Sequence, residues 1–269
     1  MHYKGLKQAA RQCLRDSRLG PCRLTLLFLL CFYAVSILCD VVSYVMDLRL
    51  SRASGLEVAA LNSQAMLWNF TAVVAVNLLW ALWHAGYSAF ALRLSRGQQT
   101  GFGEFLTGFR MAGKILAVTL LEALYIWLWS LLLVLPGIAA AYRYRMAVYV
   151  ILDDPSLSAS EAIGVSARLT YGHKLELFLL DLSFWWYYLP GLAAAALLNG
   201  YSYGLIPALN GPDGRLFVYL VNLLLPAAMD VAAMAYVQTT QAHAYNWLLS
   251  LDDAQRKEAW STRRPEGWA

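Results

Sequence analysis

The chain has 269 residues, of which 59% are hydrophobic and 14% charged, and its formal net charge is +4. A soluble domain is usually about 45–50% apolar and about 25% charged, so neither a disordered chain nor an ordinary water-soluble enzyme fits. The small positive excess argues against a nucleic-acid-binding surface, and its placement beside apolar blocks points to anionic lipid headgroups.

The first segment, residues 1–22, reads as a basic amphipathic helix. At about 100° per residue, Lys4, Lys7, Arg11, Arg15 and Arg18 share one arc, with Leu6, Ala10, Cys13 and Leu14 beside it. Such a helix either lies on the inner leaflet with its cations toward headgroups or packs under the bundle, and both readings stay open. Residues 23–250 hold six apolar stretches: Leu24 to Val45, Met66 to Leu92, Ile115 to Leu135, Ile138 to Leu152, Leu175 to Leu198, and Leu216 to Leu249. All but the fourth are long enough to cross about 30 Å of hydrocarbon at about 1.5 Å per residue. In lipid the backbone must satisfy itself, so the spans are helices. The first is expected to be a retained span, because no small-residue cleavage site follows it. Residues 251–269 form a polar tail.

Basic residues near span ends set the orientation. With six crossings and both termini inside, the inner segments carry the N-terminal cluster, Arg93, Arg96, Arg110, Lys114, Arg168, Lys174 and the basic tail. Only Arg49, Arg52 and Arg215 fall outside. The expected fold is therefore all-α: a six-helix polytopic membrane protein with both ends cytoplasmic. Trp68, Trp127, Trp129, Trp185 and Trp186 fall toward the outer ends, and Trp83 and Trp247 toward the inner ends, as interfacial anchors do. Between spans four and five, Asp153-Asp154-Pro155 ends one helix. Ser158 and Glu161 then have the spacing of a capping box for a short inner helix running to Tyr171, with Gly172 beyond its end. A faint internal repeat relates Leu135-Pro136-Gly137 to Leu189-Pro190-Gly191, each following a Lys-led span with an acid seven or eight residues after the Lys, Glu122 or Asp181.

The stretch 135–184 resembles the uncharacterised bacterial integral membrane family called domain of unknown function 975. The likeness rests on Pro136-Gly137, the exit from Tyr149 to Pro155, the helix start Leu157 to Ile163, Gly172-His173-Lys174, and Phe178 to Phe184. It implies a multi-pass protein of the bacterial cytoplasmic membrane with no assigned reaction, and it carries no catalytic residues across. Arg143 and Arg145 inside the fourth span depart from the family pattern.

Charges within a bilayer cost about 2.5–3.5 kcal/mol or more at its centre, so they are the candidate sites. Counting about 1.5 Å per residue places Glu122, Arg143, Arg145 and Asp181 in one layer. At least one of the two arginines is expected to pair with Glu122 or Asp181. The cluster is either a polar site for a solute, ion or headgroup, or an ionic tie that fixes helix register. In the sixth span, Asp230, Gln238 and His243 form a polar stripe that suits either a transporter or ordinary helix packing. The four histidines, His2, His84, His173 and His243, and the four cysteines show no metal-binding spacing. No nucleophile–base motif appears. The expectation is thus a non-enzymatic membrane protein without metal or cofactor. It acts through a membrane protein partner or self-association, as a scaffold, accessory or envelope-stress factor. A permease component using its intramembrane charges is the alternative.

Overall fold

The computed structural model describes residues 3–16, 21–54, 57–98, 100–202 and 212–263, and all secondary structure among them is helical. In chain order the elements are α1 (Tyr3–Asp16), α2 (Pro21–Arg52), α3 (Glu57–Ser95), a 3-10 turn (Phe102–Leu106), α4 (Thr107–Arg110), α5 (Ala112–Leu132), α6 (Val134–Tyr144), α7 (Ala147–Asp153), α8 (Ala159–Leu169), α9 (Lys174–Leu182), α10 (Trp185–Ser202) and α11 (Pro212–Arg263).

Among the described residues, three helical stretches are long and apolar enough to cross a membrane: Thr25–Arg52, Glu57–Ser95 and Ala112–Leu132. Their most apolar windows are only 17, 6 and 11% buried within the bundle. Leu38, Phe70 and Leu133 are each more than half exposed. In water these faces would expose far more apolar surface than a soluble monomer tolerates. Against hydrocarbon they cost nothing, so the exposed faces suit a bilayer as solvent.

The core lies toward one end of α3. Except for Ala65, the buried residues of that helix all fall between Ala85 and Leu94. There they meet Ile115 and Val118 of α5, Met146 to Ile151 around α7, Ala162 of α8, Leu177 and Leu180 of α9, and Tyr245 and Leu248 of α11. The remaining length of α3 runs beside α2 as a hairpin. Trp68 Nε1 donates to Ser43 Oγ at 3.1 Å, and Ser43 Oγ donates to Asn69 Oδ1 at 2.9 Å. Gly108 of α4 lies against α3 so closely that a Cβ there would collide with the Leu82 carbonyl.

The inner helix forms as its sequence dictates. Ser158 caps α8, its Oγ accepting from Glu161 N–H at 3.3 Å while Ser158 N–H donates to Glu161 Oε2 at 2.8 Å. The helix stops at Leu169, and Gly172 turns the chain at φ +81°.

Two of the expected spans are broken. The fourth divides into α6 and α7 at Arg145-Met146, and the fifth into α9 and α10 at Ser183-Phe184. The first break is held by α8: Ser166 Oγ accepts from Met146 N–H at 3.1 Å, and both Ser166 Oγ and Thr170 Oγ1 donate to the Arg143 carbonyl at 3.0 Å. The two repeat-like segments fold differently. Pro136 sits in the first turn of α6, where its missing N–H costs little, whereas Pro190 lies inside α10. Helix α11 continues to Arg263, so the tail is helical over residues 251–263.

Candidate functional site

A cavity of about 560 Å³ opens between α3, α5, α7 and α11. From α3 come Asn77, Trp80, Ala81, His84 and Ser88, spaced three and four residues apart and therefore on one helix face. From α5 come Thr119 and Glu122, from the α6–α7 break and α7 come Arg145 and Tyr149, and from α11 come Gln238 and Gln241. A broken helix is what turns Arg145 inward here.

Most of these groups restrain one another. Gln238 Nε2 lies 2.7 Å from His84 Nε2, and Tyr149 O–H donates to Gln238 Oε1 at 3.3 Å. With the amide oxygen engaged by Tyr149, Gln238 donates to the ring, which fixes the His84 proton on Nδ1. Arg145 binds Asp181 of α9 through both terminal nitrogens, Nη2 to Oδ1 at 2.9 Å and Nη1 to Oδ2. Tyr142 O–H donates to the same Oδ2 at 2.9 Å. Glu122 is different: it faces the cavity and makes no hydrogen bond or ion pair among the described residues.

Of the four charges expected in one layer, the structure therefore joins Arg145 to Asp181 and leaves Glu122 across the cavity. Arg143, two residues before Arg145, turns to the opposite side of α6. It lines a smaller hollow with Lys174. The polar stripe of α11 divides as well. Gln238 enters the cavity, while His243 Nε2 lies 3.5 Å from Cys13 Sγ of α1. The Asp230 side chain lies outside the described ones. No group of three metal-ligating side chains occurs among the described residues.

The basic helix α1 packs on the bundle, with Ala10 fully buried. Lys7 Nζ donates to the Ser183 carbonyl at 3.0 Å and sits 4.1 Å from the Phe184 ring centroid. Arg11 lies 5.1 Å over the Tyr236 ring. Partial burial, helped by the Arg11 charge, holds the Lys7 ammonium below the usual lysine value. Lys4 and Arg15 are exposed, and Arg18 lies outside the described residues.

A second polar tie was not read from the sequence. Asp153, taken as a helix terminator, receives Arg96 in bidentate fashion, Nη1 to Oδ1 at 2.5 Å and Nη2 to Oδ2 at 2.9 Å. Arg96 Nε also donates to Asn246 Oδ1 at 3.1 Å, and Tyr245 O–H donates to Asp153 Oδ2 at 3.2 Å. The Arg96 hydrogen bonds hold the Asp153 carboxyl below the ordinary carboxylate range. The tie joins the ends of α3 and α7 to the side of α11. For His84 a signal was available: Asn77, His84 and Ser88 form a polar line at helical spacing within an apolar span.

Fold and site together define a helical membrane-associated protein with a polar cavity inside its bundle. Residues 131–252 match the family described as protein of unknown function (DUF975), so the resemblance seen over 135–184 holds over a longer stretch. The matched segment supplies Arg145, Tyr149, Asp181 and Gln238, while His84 and Glu122 come from the chain before it. No curated protein and no solved structure matches the chain.

Proposed function

We propose that this is a multi-pass protein of the bacterial cytoplasmic membrane that holds a small polar solute in the cavity between α3, α5, α7 and α11. It acts as a binding or permease component and not as an enzyme. Six crossings with both termini cytoplasmic follow from the distribution of basic residues. In this topology the broken pairs α6–α7 and α9–α10 each serve as one crossing.

The observation that carries the reading is the unpartnered carboxyl of Glu122 in the cavity wall. Arg145, the cation among the lining residues, is already paired with Asp181. An unpaired carboxylate out of water is costly, and a cationic solute supplies the missing counter-charge. Trp80 adds an aromatic ring to the same wall. His84, Tyr149 and Arg145 are held by other protein groups, which suits binding and orientation better than proton transfer.

Proteoliposomes test this directly. Saturable uptake of ethanolamine or tetramethylammonium, abolished by Glu122→Gln and kept in Lys114→Gln, supports the solute reading. No flux and no binding of either amine, together with a stoichiometric copurifying membrane protein, replaces it with the interaction role.

A further inference from the structure

The second hollow, about 150 Å³, is separate from the cavity and does not depend on the solute reading. It runs along the outer face of α6 and is lined by Trp129, Pro136, Ala139, Ala140, Arg143 and Lys174. The α6 residues follow one another at three- and four-residue spacing, so they form a single stripe that starts apolar and ends in Arg143. Lys174, the first residue of α9, adds a second cation.

These two cations share one groove, and no acid lines it. Arg93, Arg96, Arg145 and Arg168 each pair with an acid: Glu104, Asp153, Asp181 and Asp252. Arg143 and Lys174 make no ion pair or side-chain hydrogen bond among the described residues. The turn that carries Arg143 is nevertheless fixed, because its carbonyl accepts from Ser166 Oγ and Thr170 Oγ1 of α8. The guanidinium lies 5.6 Å over the Tyr144 ring, a contact that leaves its N–H donors available, so with the Lys174 ammonium it makes a site for a doubly coordinated oxyanion.

We infer that this groove binds one anionic phospholipid, with its phosphate between Arg143 and Lys174. Its glycerol and upper acyl carbons lie along the apolar stripe at Ala139 and Ala140. The apolar extension selects a lipid over free phosphate, since an inorganic ion would leave the stripe empty. The helix period separates the two functions. Arg145 lies about 200° around the axis from Arg143, so one turns to Asp181 and the cavity while the other turns to lipid.

Native mass spectrometry of the full chain, delipidated in detergent, reads the site. The probes are phosphatidylglycerol, phosphatidylcholine with the same acyl chains, and inorganic phosphate. The expected result is one phosphatidylglycerol retained per chain, with retention weakened about tenfold or more in Arg143→Gln/Lys174→Gln. Arg143→Lys restores much of it. Ala139→Trp, which fills the groove and leaves both charges, also lowers it and so distinguishes the site from general charge attraction. Equal retention of the two lipids, unchanged retention in the double variant, or displacement by millimolar inorganic phosphate overturns the proposal.

Discussion

Removing either partner of the Arg145–Asp181 pair should destabilise the protein, and removing both should recover part of the loss. The two interhelical hydrogen bonds connect the α6–α7 break to α9, with side chains 23 and 27% exposed. Breaking a fully buried pair costs about 3–5 kcal/mol, and an exposed pair about 0–1 kcal/mol. Side chains about one quarter exposed belong nearer the buried limit. Interhelical hydrogen bonds in membranes average about 0.6 and reach about 1.7 kcal/mol each by double-mutant cycles, so two of them give a coupling of about 1–3 kcal/mol. Arg145→Leu and Asp181→Leu alone should each cost about 2–4 kcal/mol, since each leaves its partner's charge unpaired. The double variant should be less damaged than the singles predict by that coupling. Reversible unfolding in mixed micelles measures all four corners of the cycle. If the single effects add within about 0.5 kcal/mol, the pair does not hold the break to α9 and the geometry has been misjudged. Arg143→Leu is the matched control, because its side chain has no acid partner among the described residues.

Three further outcomes rest on other contacts. The carboxyl of Asp153 is held low chiefly by Arg96, so its contribution is complete above the unfolded value of about 3.9 and is lost as pH falls through the lower folded value. The melting-temperature gap between wild type and Arg96→Gln should therefore be full at pH 7 and shrink below about pH 4; a gap unchanged at pH 3 contradicts the tie. Ser158→Ala removes the cap of α8 and should lower stability by about 1 kcal/mol, read by chemical unfolding in detergent. Gly108→Ala drives a methyl group into the Leu82 carbonyl and should cost about 1–3 kcal/mol, whereas Gly103→Ala, with open space around its Cβ, should be close to neutral.

The sequence disclosed what is local. Apolar length identified α2, α3 and α5, because a bilayer demands some 20 apolar residues in a row and nothing in water does. Ser158 and Glu161 announced the start of α8, because a cap is a contact between residues three apart. The breaks at Arg145-Met146 and Ser183-Phe184 were not legible. Neither contains proline or glycine, and no helix-stopping pattern marks either. What stabilises the first is Ser166, twenty residues further along, and no local pattern reveals a partner at that distance. The same limit hid Arg96 from Asp153. Depth along a span was countable, so one layer of charges could be expected. The direction each charge faces depends on where the helix breaks, and that separated Arg143 and Glu122 from Arg145 and Asp181.

The breaks also explain why α1 has turned part of its basic face toward protein. Ending α9 at Leu182 strips its last carbonyls of helical partners, and away from water each must find a donor. The Ser183 carbonyl finds Lys7 Nζ. A cation at a helix C-terminus is favoured twice, by the hydrogen bond and by the negative end of the helix dipole. The aromatic rings of Phe184 and Tyr236 then accept the apolar stems and charged heads of Lys7 and Arg11. A helix floating on headgroups would keep all its cations in the interface. This one uses Lys7 to close a broken span and leaves Lys4 and Arg15 exposed, so α1 is a component of the bundle with its remaining charge free for lipid.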